Sequence, residues 1–98
     1  MAAVAREGDN CSGDGCFPPV PMLTPPQSSV YVNGILVGIQ STGYTTHSCG
    51  DSTHSGRTVT SGSSSVFING QPVSRIGDSI SCGAVIAQGS GNVFVGGG

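Results

Sequence analysis

The chain of 98 residues carries a formal net charge of −2 and only 8% charged residues, and its only Lys or Arg side chains are Arg6, Arg57 and Arg75. Proteins that bind nucleic acid neutralise phosphates with clustered Lys and Arg, so this balance argues against a nucleic-acid partner. Tryptophan is absent and leucine occurs only at positions 23 and 36, so little apolar area can offset chain entropy. The length predicts a single domain, residues 1–98, and the thin core predicts that a metal, disulfides or a partner stabilises it.

The first third of the chain begins in the middle of a sequence repeat. Residues 4–9 (Val-Ala-Arg-Glu-Gly-Asp) match residues 73–78 (Val-Ser-Arg-Ile-Gly-Asp) at the Val, Arg, Gly and Asp positions. Residues 11–16 follow as a tight polar loop that begins and ends with a cysteine. Residues 17–27 contain every proline except Pro72 and are predicted to form an extended, turn-rich crossing.

Two complete repeat units occupy the middle of the chain. Residues 28–39 and 64–76 each contain alternating apolar positions around an Asn-Gly pair. This pattern predicts two strands joined by a type I′ turn, whose positive φ values Asn and Gly tolerate. Residues 89–96 restart the pattern and stop after one strand. Half a unit, two full units and a closing half unit make three repeats if the end strands pair, so we expect a closed, pseudo-threefold, all-β fold with almost no helix.

Superposition of the repeats brings three residues of ligand type to nearly the same repeat position. Equivalent corners lie at positions 9, 42 and 78, and they are followed four or five residues later by Asp14, His47 and Cys82. If the repeats circle an axis, these side chains meet near it, and His54 in the longest inter-repeat loop can add a fourth donor. An O/N/N/S set of this kind is typical of a closed tetrahedral zinc site that is structural rather than catalytic.

Three further cysteines, Cys11, Cys16 and Cys49, compete for the same ligand role. Cys11 and Cys16 bracket a tight loop, and they are the pair expected to form a disulfide if the protein meets an oxidising environment. Cys49 lies between two histidines, so the composition also permits a nucleophilic Cys/His pair. The chain is too small to offer much of a substrate pocket, and no oxyanion-type loop is evident. We therefore predict a structural metal site and no enzyme activity.

An Arg/Asp pair recurs with a spacing of three residues, at Arg6/Asp9 and at Arg75/Asp78. We interpret the pair as a repeated structural corner with Gly at a turn, and not as a binding patch. Alternating positions of the units are predicted to form the core: Val30, Val32, Val66, Ile68, Val93 and Val95. The opposite face carries three aromatic residues that form a docking surface if they lie at one end: Tyr31, Phe67 and Phe94.

The repeat pattern is most regular in the last third of the chain. It reads Gly62-Ser-x-x-Val66-Phe-Ile-Asn-Gly70-x-Pro72-Val73-x-Arg75-Ile-Gly77-Asp78, continued by Cys82-Gly83 and by Gly89-Ser-x-Asn-Val-Phe-Val-Gly96. This pattern resembles the repeat of PAAR-domain proteins. The opening Arg6-x-Gly8-Asp9-x-Cys11-x-Gly13-x-Gly15-Cys16-Phe17-Pro18-Pro19 resembles the phage-tail branch of that family. The middle unit departs from the pattern, because residues 39–42 lack the Arg and the Gly-Asp.

The resemblance implies a small, metal-pinned cone of β-structure that caps the trimeric β-helical spike of a contractile injection machine, either a phage tail or a type VI secretion system. Such a tip sharpens the spike for piercing the target's outer membrane. The resemblance also implies one zinc ion near the vertex, with iron as the alternative, and His47, His54 and Cys82 match family ligand positions. The first family position is commonly His, and Asp14 stands there in this chain. The fourth ligand is therefore open between Asp14, a neighbouring Cys and a different arrangement.

The implied partner is one spike trimer per chain, with no nucleic acid and no small-molecule substrate. The implied location is the virion tail tip, or the bacterial cytoplasm followed by injection out of the cell. The opening Met-Ala-Ala-Val-Ala-Arg is too short and too poor in cations for a signal peptide, and no apolar run approaches the length of a membrane span. We expect a bare tip without an attached effector. The alternatives are a freestanding zinc-stabilised surface-binding module and a small Cys/His hydrolase.

Overall fold

The computed structural model describes residues 2–13 and 16–96, and within these ranges it contains short strands, turns and isolated bridges but no helix. The strands pair two by two into antiparallel sheets. In chain order they are β1 (Ala2–Ala3), β2 (Tyr31–Val32), β3 (Ile35–Leu36), β4 (His47–Cys49), β5 (Ser52–His54), β6 (Phe67–Ile68), β7 (Gln71–Pro72) and β8 (Phe94–Val95). The predicted all-β class is thereby confirmed. Over the same ranges, no helix is long and apolar enough to cross a membrane.

The two complete repeat units form hairpins with the predicted Asn-Gly turns. β2 pairs with β3, and β6 pairs with β7. Asn33 and Asn69 have φ values of 57° and 51°, and the glycines that follow them have φ values of 77° and 80°. Both central residues of each turn therefore occupy the left-handed region that a type I′ turn requires, which explains the choice of Asn-Gly at these two places.

The third hairpin-like pair is assembled from two distant parts of the chain. β1 pairs antiparallel with β8, with Ala2 opposite Val95 and Ala3 opposite Phe94. The predicted pairing of the first and last strands is confirmed. It gives each of the three repeats one antiparallel pair of strands.

Below the hairpins, three extended segments close into a ring formed by residues 4–6, 37–39 and 73–75. Each segment bridges both of the others, through the pairs Val4–Arg75, Arg6–Val37 and Ile39–Val73. A second ring follows, with the bridges Asn10–Pro21, Cys11–Ile86, Met22–Tyr44, Gly43–Thr58, Val59–Ile80 and Ser79–Val85. The body measures 39 × 24 × 22 Å. Because each repeat runs from its hairpin through the first ring to the second, we call the hairpin end the base and the end with residues 47–54 and 82 the tip.

The first ring accepts only small side chains at its central positions. Ala5, Gly38 and Ser74 are equivalent in the three repeats, and Ala5 and Ser74 are both 0% exposed. A Cβ at Gly38 would lie 2.5 Å from Ser74 Oγ and 2.6 Å from the sulfur of Met22. A side chain at the third position would therefore require the side chains of Ser74 and Met22 to shift.

Each repeat turns a corner between the two rings, and the Arg/Asp pairs build two of the three corners. The Arg75 amide donates to Asp78 Oδ2 at 2.7 Å, and its guanidinium donates to both carboxylate oxygens at 3.2 and 3.0 Å. Arg6 and Asp9 repeat this arrangement. In the middle repeat, the Thr42 hydroxyl accepts the equivalent hydrogen bond, which the Ile39 amide donates at 3.0 Å. The interpretation as a structural corner is confirmed, with a hydroxyl replacing the carboxylate once.

Packing divides the interior into two apolar clusters. The cluster toward the tip contains Ala5, Cys11, Met22, Tyr44, Val59, Ile80, Ala84 and Ile86. The cluster toward the base contains Val4, Val37, Ile39, Ile68 and Val73, with Val32, Val93 and Val95 packed against it.

The prediction that these hairpin residues form the core is confirmed for Ile68, and in part for Val32, Val93 and Val95, which pack against the cluster toward the base. Val30 and Val66 remain 38% and 37% exposed. These side chains instead line an apolar pocket of about 320 Å³ at the base, together with Val32, Val37, Val73, Val93 and Val95. The difference has a physical cause, since nothing in the described chain lies beyond the hairpins to cover them.

Candidate metal centre

The β4–β5 hairpin places two predicted ligands side by side. His47 lies directly opposite His54 in the antiparallel register, so both side chains project from the same face of the hairpin. Gly50 in the connecting turn has a φ of 59°, which the tight reversal requires. His47 is 3% exposed, whereas His54 is half-buried.

Cys82 reaches the same place from the third repeat. The turn that carries it is closed by a hydrogen bond of 2.9 Å from the Gly83 amide to the Ile80 carbonyl, and Gly83 has a φ of 100°. One ligand atom of each of His47, His54 and Cys82 lies within 4.8 Å of the other two. The structure therefore brings these three predicted ligands together. The fourth, Asp14, lies outside the described residues.

The two histidines have the spacing and the orientation of metal ligands. His47 Nε2 lies 3.2 Å from His54 Nδ1. Two nitrogens bound tetrahedrally to one zinc ion, each at about 2.0–2.1 Å, stand about 3.3 Å apart. His47 Nδ1 lies 2.9 Å from the Pro18 carbonyl oxygen. A carbonyl accepts but cannot donate, so this bond places the proton on Nδ1 and leaves the Nε2 lone pair for the centre, as in metal-binding histidines generally.

An aromatic ring covers the histidine pair. The ring of Phe17 stacks on that of His54, with centroids 3.8 Å apart and an angle of 13° between the planes. Its centroid is also 4.7 Å from that of His47, in a tilted arrangement. Phe17 therefore fixes the orientation of the imidazoles and limits the access of water to them. Its role was not foreseen from the sequence, although its place after Cys16 was part of the recognised pattern.

A buried arginine contacts the sulfur ligand from the interior. Arg57 is 3% exposed. Its Nη1 lies 3.3 Å from Cys82 Sγ and 3.9 Å from Cys11 Sγ, and its Nη2 donates to the Thr45 carbonyl. Burial alone would raise the pKa of the Cys11 thiol, but hydrogen bonds from the backbone and from Arg57, with the arginine charge, lower it below its ordinary value. The role of Arg57 was also not predicted from the sequence. The available signals were that arginine is rare in this chain and that Arg57 follows His54 closely in sequence.

The cysteines pair differently from the sequence expectation. Cys16 forms a disulfide with Cys49, with Cα atoms 5.6 Å apart, whereas Cys11 and Cys82 are free. The expected bond between Cys11 and Cys16 is therefore wrong. Cys11 points into the buried cluster toward the tip, while Cys16 faces the β4–β5 hairpin from the start of the proline-rich crossing. Of the three alternate ligands, Cys16 and Cys49 are bonded to each other, and Cys11 is not among the three residues whose ligand atoms converge.

Comparison with known proteins identifies the repeat pattern. The PAAR motif family matches residues 49–98, which include His54, Cys82 and the most regular repeat. No curated protein matches the chain as a whole. The PAAR motif is associated with the spike tips of contractile injection systems, and its members generally sit on spike trimers. The motif, the closed pseudo-threefold arrangement of hairpins and the His/His/Cys cluster agree with one another, and the chain belongs to the PAAR-motif family.

Proposed function

We propose that this protein is a structural tip that caps the trimeric β-helical spike of a contractile injection machine, with its base on the spike and its tip leading. The observation that carries the proposal is the pseudo-threefold apolar base. Three equivalent aromatic side chains at the base, Tyr31, Phe67 and Phe94, are 57%, 52% and 50% exposed, and Phe67 is one of the residues that line the apolar pocket. A threefold set within one chain can face three identical chains in equivalent ways, so we infer one copy per spike trimer.

The energetic argument for docking is the apolar area left uncovered. Contiguous exposed apolar surface in a monomeric protein marks an interaction site. The valines of the base, with Phe67 and Ile68, form such a surface, because they belong to neighbouring strand pairs and line one pocket. The strand ends of the hairpins can also continue the sheets of the spike by strand addition.

We propose that the tip is stiffened by one structural zinc ion, held by His47 Nε2, His54 Nδ1 and Cys82 Sγ. With Cys16 and Cys49 bonded to each other, Asp14 is the proposed fourth ligand. When bound, the metal supplies crosslinks between the middle and third repeats. The proposed function is mechanical: the tip transmits force to the target's outer membrane, and the site carries out no reaction.

The test of docking is size-exclusion chromatography of the protein with its cognate spike trimer. We expect a complex of one chain per three spike chains. Phe67→Asp should abolish the complex without unfolding the protein, because the side chain is exposed in the absence of a partner. Leu23→Asp is the matched control, since Leu23 is 49% exposed but does not line the pocket. Failure of the unmodified chain to bind any spike trimer would contradict the proposal and leave the freestanding zinc-stabilised module.

A further inference from the structure

The start of the proline-rich crossing makes three different kinds of contact with one short hairpin. Cys16 forms a disulfide with Cys49, Phe17 stacks on His54, and the Pro18 carbonyl accepts the Nδ1 proton of His47. We call residues 16–18 the clasp. All three contacts fall on β4, β5 or the residues at their ends, and two of them are made to the proposed metal ligands themselves.

The position of the clasp also depends on Gly13, which precedes it in the chain. Gly13 has a φ of +78°, and a Cβ at this position would lie 2.6 Å from the Phe17 carbonyl oxygen and 3.2 Å from the Pro19 nitrogen. The chain therefore folds back tightly before the clasp, and a side chain at position 13 would displace it. This contact is independent of the disulfide.

We propose that the clasp is a redox-set lock on the metal centre. When Cys16 and Cys49 are thiols, the clasp is held by the stacking and the hydrogen bond alone and can open to admit zinc. When they are joined, the clasp cannot leave the histidines without local unfolding, and the metal is retained. This inference rests on the proposed metal site and adds to it a means of retaining the ion.

The chemistry of locking is thiol–disulfide exchange with a small-molecule disulfide. The thiolate of one cysteine attacks the external disulfide and expels one thiol, and the second cysteine then attacks the mixed disulfide and expels the other. The protein loses two protons and two electrons, and the external disulfide is reduced to two thiols. Cys82, the proposed sulfur ligand, is a free cysteine and is not part of the disulfide, so locking consumes no residue of the His47/His54/Cys82 set.

Metal release requires an imidazole to turn away and a competing ligand to enter. For His47, the turn breaks the bond to Pro18 and displaces the ring of Phe17. Groups that orient metal ligands from outside typically affect metal affinity by about 10–100-fold. We expect the locked clasp to slow zinc release by about tenfold or more relative to the open one, by the same reasoning.

The experiment measures zinc transfer from the full chain to an excess of chelator. One sample is oxidised with glutathione disulfide and the other is reduced with a phosphine, which does not compete as a thiol ligand. The oxidised sample should release zinc at least about tenfold more slowly, in line with the influence of groups outside the ligand set. Cys16→Ser and Cys49→Ser should each release it at the reduced rate under both conditions, because each removes the same bond.

The aromatic contact is tested separately in reduced protein. Phe17→Leu should speed release, whereas Phe17→Tyr should restore the original rate because it keeps the stacked ring. Leu23→Ala, at an exposed position outside the apolar pocket and the metal centre, is the control and should change nothing. Equal release rates for oxidised and reduced protein, with one zinc bound in both, would overturn the lock but leave the metal site intact. Absence of zinc uptake in either state would overturn both.

Discussion

The base and the tip are built on the same threefold plan but use it in opposite ways. At the base, the three repeats present equivalent apolar residues, such as Val32, Ile68 and Val95, and the symmetry is kept. At the tip, His47 and Cys82 lie at nearly equivalent places but differ in chemistry. The disulfide attaches to the β4–β5 hairpin, whereas the buried arginine contacts Cys82. A surface that meets three identical chains has to repeat, whereas a metal centre needs donors of a particular number and kind. The threefold symmetry is therefore kept at the proposed docking surface and lost at the proposed metal site.

The largest expected effect comes from removing the metal at the tip, a change that leaves the residues of the base unaltered. Removal of the metal by a chelator, or Cys82→Ala, should lower the free energy of unfolding by about 4 kcal/mol at free zinc 1,000-fold above its Kd. The reason is that metal binding to an ordered site contributes directly to folding free energy. Thermal unfolding with and without chelator measures it. Thr53→Ala, on the exposed side of β5, is the control. An unchanged melting temperature after verified metal removal would refute the structural role.

The next effect tests the ring that joins the two regions. Gly38→Ala should destabilise the protein by about 1–3 kcal/mol, because the new methyl overlaps Ser74 Oγ in a filled space. Chemical denaturation measures the loss. Gly91→Ala is the matched control, since a Cβ there meets nothing within 4 Å. A Gly38→Ala protein as stable as the Gly91→Ala protein would mean that the ring relaxes more easily than its contacts imply.

A smaller effect concerns the corner at which the middle repeat departs from the other two. Gly8 and Gly77 have φ values of 86° and 93°, and Ser41 takes the equivalent position with a φ of 79°. A non-glycine residue in this region costs about 1–2 kcal/mol, and glycine has its own entropic cost, so Ser41→Gly should stabilise the protein by about 0.5–1 kcal/mol. Gly77→Ser should have the opposite sign. The denaturation midpoints of the two variants measure these changes in stability. Two shifts in the same direction would contradict the explanation.

The smallest effect concerns a hydroxyl buried in the cluster toward the tip. Tyr44 is 2% exposed, its hydroxyl has no hydrogen-bond partner among residues 2–13 and 16–96, and burial, with Cys11 and Asp9, raises the pKa of the phenol. An unsatisfied buried polar group is unfavourable, so Tyr44→Phe should leave stability unchanged or raise it by about 0.5–1 kcal/mol. Tyr31→Phe, at an exposed position, should have no effect. A clear loss of melting temperature in Tyr44→Phe would show that the hydroxyl is satisfied in solution.

Part of the fold could be predicted from the sequence because its determinants are local and repeated. The Asn-Gly turns, the Gly-Asp corners and the pairing of the end strands follow from patterns that lie within a few residues and recur. The convergence of His47 and Cys82 could also be predicted, since equal spacing from equivalent corners places both near one axis.

The features that escaped prediction depend on contacts between non-repeated segments. Cys16 pairs with Cys49, which is 33 residues away, because the proline-rich crossing returns beside the β4–β5 hairpin. The path of such a crossing leaves no periodic signal in the sequence. Arg57 was missed for a related reason: a single cation reveals its role only when the two thiols beside it are seen. Val30 and Val66 were predicted to lie in the core but are exposed, because alternation indicates an apolar face and not what covers it.

The pairing of β1 with β8 has a consequence for the connectivity of the chain. These strands occupy the place that an Asn-Gly hairpin takes in the other two repeats, so one of the three equivalent strand pairs joins two distant parts of the chain. A circular permutant that joins β8 to β1 by an Asn-Gly turn and opens the chain between Asn33 and Gly34 would keep every pairing of the rings. The fold would then not depend on where the chain is opened, because the pairings that close the rings would stay the same.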